Sequence, residues 1–192
     1  RITKRLLAAS RKKSKSIVIL KGLVVILPIE LFKPQKLKRK DSSLLKTKFQ
    51  FAKELIYEAG RYIRDNMTKD LTIEEKSTFD DLVTDLDKAV QSLMVKRINS
   101  TYPQDHVFAE ENDLVADINN GAVWVLDPID GTINFVVQGC DFAVMIAYYE
   151  NGIGQFGLIY DVMNDLLYSG GGQFEVKVND KVLKPFQDRP FN

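Results

Sequence analysis

The chain has 192 residues, 45% of them hydrophobic and 28% charged, with a formal net charge of +1. That composition belongs to an ordinary globular protein and excludes low-complexity and collagen-like classes. Its single cysteine, Cys140, excludes an internal disulfide framework and a CxxC metal site, and the single histidine, His106, argues against a His/Cys zinc centre.

Metal chemistry on such a chain would run on carboxylates, which take hard cations such as Mg²⁺. The cysteine usage fits a reducing compartment, and a cytoplasmic location is expected.

The charge is unevenly spread. Residues 1–48 carry 15 Lys and Arg against Glu30 and Asp41, whereas residues 49–192 carry 12 against 24 Asp and Glu. The apolar run over residues 17–32 is broken by Lys21, Gly22, Pro28 and Glu30. It falls short of the roughly 20 residues a membrane-spanning helix needs, and no small-residue cleavage site follows it. Residues 1–43 therefore read as a basic extension outside the fold, and residues 44–192 as the folded part. The functional alternative for the extension is a weak contact with an anionic membrane surface; no nucleic-acid partner is expected.

From Leu44 the pattern becomes regular. Phe49, Ala52, Ile56, Ala59 and Ile63 recur at helical spacing and predict an amphipathic helix over residues 44–67. After a polar loop, Leu86, Val90, Leu93 and Ile98 predict a second helix that stops before Pro103. Strand patterns follow in "HVFAEE", "GAVWVLD", "DFAVMIAYYENGIGQFGLIYD" and "DLLYSGGGQFEVKVND". Asn151-Gly152, between two apolar runs, is a hairpin signal. Two helices followed by a mostly antiparallel sheet predict an α+β layered sandwich.

The acids concentrate at predicted element ends. Glu110 and Glu111 close the first strand, Asp127 and Asp130 the second, and Asp81 and Asp87 flank the start of the second helix. Several ionised carboxylates at one sheet edge repel unless a cation lies among them. Glu110, Asp127, Asp130 and the Ile129 carbonyl would supply hard oxygens for a divalent ion. Gly131 would let the backbone approach an anion, and Thr132 would offer a hydroxyl beside the metal.

The run "DPIDGTINF" (residues 127–135), with "AEE" and "DLVTDLD" before it, resembles the inositol monophosphatase family of Mg²⁺-dependent sugar phosphatases. The resemblance extends from about Leu44 to Leu183. It implies that Glu110, Asp127, Asp130 and the Ile129 carbonyl ligate Mg²⁺, and that Asp130, Gly131 and Thr132 hold a small phosphorylated substrate. It further implies that Asp87 and the Thr132 hydroxyl, with Glu110, prepare the attacking water, while Lys76 and Asp81 match outer positions near a third metal. A homodimer is implied for the full-length protein.

The family has a further half with a Trp-Asp element, whereas Trp124 here is followed by Val125, so the chain reads as an amino-terminal half. The alternative from another class is a non-catalytic remnant that binds a metal or a partner chain, tethered by its basic extension.

Several of these residues also have structural readings. Thr84 and Asp87 have the spacing of a helix capping box. Asp81 reads equally as a loop acid and Glu111 as a solvated neighbour of Glu110. His106 is expected to face solvent, and Cys140 to be a small packed side chain.

Overall fold

The computed structural model describes residues 15–20, 23–28, 42–68, 73–75, 82–109 and 117–183. In chain order the elements are β1 (Lys15–Leu20), β2 (Leu23–Pro28), α1 (Ser42–Asn66), β3 (Ile73–Glu75), β4 (Leu82–Thr84), α2 (Asp85–Thr101), β5 (His106–Ala109), β6 (Ala122–Asp130), α3 (Thr132–Gln138), β7 (Ala143–Glu150), β8 (Ile153–Asp161), β9 (Leu166–Gly171), β10 (Phe174–Val178) and β11 (Lys181–Val182).

Seven strands form the main sheet in the order β11-β10-β9-β8-β7-β6-β5. Neighbours are antiparallel except β5 and β6, which run parallel. The α+β sandwich read from the sequence is what forms. Asn151 and Gly152, both with positive φ (49° and 77°), make the tight β7–β8 turn. Two small antiparallel pairs stand apart from this sheet, β1 with β2 and β3 with β4. The first pair lies within residues 1–43, which the sequence reading left without structure.

The helices α1 and α2 cover one face of the sheet because each carries one apolar stripe. Leu45, Ala52, Leu55, Ile56, Ala59 and Ile63 of α1 and Leu86, Val90, Met94 and Ile98 of α2 are buried in one core with Trp124, Leu126, Tyr148, Phe156 and Tyr160 of the strands. Alternate residues of β6 and β7 point to the opposite face, where Val123, Ala147 and Tyr149 form a second cluster with Phe108, Ile118 and Val125. The strand β6 is thus apolar on both sides, which explains its unbroken hydrophobic approach to Asp127.

Two local contacts fix α1 on the sheet. Gly60 sits where any β-carbon would come within 2.4 Å of Tyr160 Cε1, so a glycine inside the helix allows close packing there. Near its start, buried Lys48 meets Asp105 at 2.5 Å and the Tyr148 hydroxyl at 2.6 Å. Trp124 Nε1 donates to the same Asp105 oxygen at 2.8 Å.

The feature that positions the site is an irregularity in β6. Asp127 pairs with Met145 and Asp130 with Ala143, so three steps on β6 match two on β7. This is a one-residue bulge. In a regular strand residues three apart face opposite ways. Here both aspartates lie opposite residues two apart on β7, and so they share a face. The strand does not end at Asp127, as its sequence suggested, but runs through Pro128 to Asp130. Pro128 is tolerated because bulges and unpaired strand ends are where a missing amide costs least, and the β5 pairing stops at Leu126.

Candidate active site

The bulge leads directly into α3. Gly131 adopts φ 90°, a left-handed conformation that glycine takes without steric penalty, and turns the chain from β6 into the short helix. The Phe135 amide donates to the Gly131 carbonyl at 3.0 Å and closes the first turn. The amides at the start of a helix have no acceptor within it and face outward. Gly139, at φ 64°, ends α3. The sequence reading missed this helix because seven residues carry too little periodicity. The flanking glycines, one on each side of an apolar run, were the available signal.

The Thr132 hydroxyl lies 3.0 Å from the Ile129 carbonyl and 3.3 Å from Asp87 Oδ1. A hydroxyl has one proton, so at any moment it donates to one of these acceptors. Asp87 comes from a distant element, the first turn of α2. There it completes the capping box expected from its spacing to Thr84. The Thr84 amide donates to Asp87 Oδ2 at 2.9 Å, the Thr84 hydroxyl bonds the same oxygen, and the Asp87 amide donates to Thr84 Oγ1 at 3.3 Å. The capping reading of Asp87 is realised, and the same carboxylate also contacts Thr132. One carboxylate oxygen serves the cap and the other faces Thr132.

Asp87 is 1% exposed. Burial pushes its carboxyl above the ordinary aspartate value, and the hydrogen bonds from Thr84 and Thr132 act in the opposite sense by favouring the ionised form.

Of the other residues singled out, Asp127 and Asp130 are half-buried on the shared face, Asp130 Oδ2 is buried, and Ile129 is buried between them in sequence. Glu110, Glu111, Lys76 and Asp81 lie outside the described residues. Glu110 directly follows Ala109, the β5 residue paired with Leu126, which itself directly precedes Asp127. Among the described residues, no group of three His, Cys, Asp or Glu side chains could hold a metal ion. The described donors are two carboxylates on one face and a backbone carbonyl. All are hard oxygens, a set that fits a divalent cation such as Mg²⁺. His106 is exposed and Cys140 half-buried; neither has a hydrogen bond to Asp87 or Thr132.

A sequence model described as "Inositol monophosphatase family" matches residues 45–188. The chain belongs to the inositol monophosphatase family. Over 144 residues it is 43% identical to the inositol-1-monophosphatase of Bacillus subtilis (strain 168), an alignment covering 72% of this chain and 53% of that protein. A crystal structure of SaIMPase-II bound to inositol monophosphate matches with a TM-score of 0.65 at 36% identity, covering 74% of this chain and 51% of that one. A crystal structure of an IMPase/NADP phosphatase complexed with Mg²⁺ and phosphate matches with a TM-score of 0.67 at 25% identity, covering 72% and 52%. The chain spans about half the length of the curated relatives it matches. The motif "DPIDGTINF" thus lies within an inositol monophosphatase fold, on the bulge and helix start described above.

Proposed function

We propose that the protein is a Mg²⁺-dependent phosphomonoesterase that hydrolyses inositol monophosphate or a related small sugar or nucleotide phosphate. The observation that carries this reading is the contact between Asp87 and Thr132 beside the face shared by Asp127 and Asp130. It joins a buried carboxylate to a hydroxyl that also reaches the Ile129 carbonyl at 3.0 Å, between the two aspartates in sequence. Relatives whose names refer to inositol monophosphate support the substrate class.

In this mechanism Asp127, Asp130, the Ile129 carbonyl and Glu110 would hold the cation. When bound, the ion supplies Lewis-acid lowering of a water pKa and charge stabilisation at the phosphate oxygens. The rest falls to the chain itself. The Thr132 hydroxyl accepts a hydrogen bond from the attacking water and passes its own proton toward Asp87 Oδ1. Asp87, ionised and fixed by Thr84, is the terminal acceptor. The Gly131 and Thr132 amides, at the opening of α3, hold phosphate oxygens in line with that water.

Phosphate release from inositol monophosphate, fructose bisphosphate, nucleotide monophosphates and NADP by the protein, with and without Mg²⁺, tests the proposal. Magnesium-dependent release that Thr132→Val and Asp127→Asn abolish supports it. Metal binding with no release from any of these esters would favour the non-catalytic reading instead.

A further inference from the structure

We propose that Thr84 is a positioning residue for the reaction: it engages one oxygen of the Asp87 carboxylate and thereby presents the other to Thr132. This inference rests on the phosphomonoesterase reading above.

The carboxylate torsion of an aspartate is soft and nearly two-fold, so a buried Asp87 needs an external restraint to keep one oxygen facing Thr132. Thr84 supplies that restraint twice. Its amide at 2.9 Å and its hydroxyl both donate to Oδ2, while Oδ1 has the Thr132 hydroxyl at 3.3 Å. The division of labour is complete, since no acceptor site is shared between the two threonines. Thr84 is itself fully buried, and the Asp87 amide at 3.3 Å holds its hydroxyl from the other side. Its contact with the site runs through Asp87, so its influence on the reaction is through orientation. The two hydrogen bonds also favour the ionised carboxylate that burial disfavours.

A helix cap with no further role makes a different prediction. Removing the cap would lower stability and leave turnover of the folded fraction unchanged. The chain allows the two to be separated, because glycine caps a helix almost as well as threonine yet carries no hydroxyl.

The test compares Thr84→Val, Thr84→Gly and Thr84→Ser, each alone and in an Asp87→Asn background, using inositol monophosphate with Mg²⁺. Loss of a hydrogen bond to a charged group corresponds to about 10-fold or more in rate. Thr84→Val is expected to lower kcat by about that factor with KM changed less than about twofold, and Thr84→Ser to restore it. In the Asp87→Asn background the same substitution is expected to cost nothing further, because the group it orients is gone. Thr84→Gly serves if the valine variant does not fold, and the same kcat loss is expected from it. An unchanged kcat in folded Thr84→Val or Thr84→Gly overturns the inference while leaving the phosphatase reading intact, as does an equal loss in both backgrounds. If the unsubstituted protein releases no phosphate, the function reading fails instead. A crystal structure of the Thr84 variant then decides the positioning directly: Asp87 Oδ1 kept within hydrogen-bond distance of Thr132 Oγ1 overturns it, and a rotated carboxylate supports it.

Discussion

Thr132 Oγ1 lies 3.3 Å from Asp87 Oδ1, although 45 residues separate them in the chain. The contact joins the first turn of α2 to the first turn of α3 and makes one unit of two motifs that are far apart in sequence. Thr132→Val should lower phosphate release by on the order of 10²-fold or more. A hydrogen bond to a charged group contributes about 1.5–3 kcal/mol to folding, so the melting temperature should fall by several degrees while the protein stays folded. Steady-state kinetics beside a thermal melt checks both; near-normal turnover would remove Thr132 from the proton path.

The proposed cation site makes a second prediction. A ligand that binds only the folded state stabilises it by mass action. Added Mg²⁺ should raise the melting temperature, and Asp127→Asn combined with Asp130→Asn should abolish the rise. The same upward shift in the double variant would place the ion elsewhere.

Asp87 predicts a pH dependence. Its folded-state value is raised by burial. Its favourable contribution is therefore fully present below the ordinary aspartate value, where both states are protonated. It is lost as pH rises through the raised folded-state value, because only the folded state resists ionisation. Asp87→Asn cannot titrate. Melting temperatures measured without divalent cations should show the variant gaining on the unsubstituted protein as pH increases from acid to neutral. A constant gap across that range contradicts the assignment.

Packing gives a fourth. Alanine is normally better than glycine inside a helix by about 1 kcal/mol, yet Gly60→Ala should destabilise by about 1–3 kcal/mol through overpacking. The new methyl would meet the ring of Tyr160, which cannot retreat: it is fully buried, and Arg64 at 3.0 Å and Asp165 at 2.6 Å hold its hydroxyl. Denaturant titration measures the difference; a stabilised variant would show that the ring has room to move.

The last concerns the buried charge beside α1. Lys48→Met leaves Asp105 with the Trp124 indole as its remaining side-chain donor in a site where the pair is 5% and 9% exposed. Breaking a buried pair from one side should cost about 3–5 kcal/mol. Adding Asp105→Asn should recover part of that loss, which equilibrium unfolding of the single and double variants would reveal.

The sequence disclosed the helices α1 and α2 and the strands β5 to β10 because each has a repeating apolar pattern matched to its geometry. It disclosed the Thr84–Asp87 box because that motif is local. Spacing and periodicity could not disclose the approach of Asp87 to Thr132, which depends on how α2 packs against β6; only the family resemblance implied that both act on one water. Nor could they disclose the bulge. Pro128 inside a strand pattern argues for a turn, and the extra residue becomes visible only when Asp127 and Asp130 are matched to Met145 and Ala143 on the neighbouring strand. The role of Thr84 was half legible: spacing showed the cap, but not that the cap leaves one carboxylate oxygen for Thr132.

That bulge also sets the protein's tolerance to insertion and deletion. Removing one residue between Asp127 and Asp130 would leave the acids two positions apart, so β6 could run as a regular ladder along β7 with both acids still on one face of the sheet. The extra residue is therefore not what aligns the acids; it leaves Ile129 without a partner on β7, and the Ile129 carbonyl accepts from Thr132 at 3.0 Å. A lineage that lost a single codon there would gain a sounder sheet and keep both acids on one side, and would give up the irregular backbone on which the Ile129 carbonyl meets Thr132.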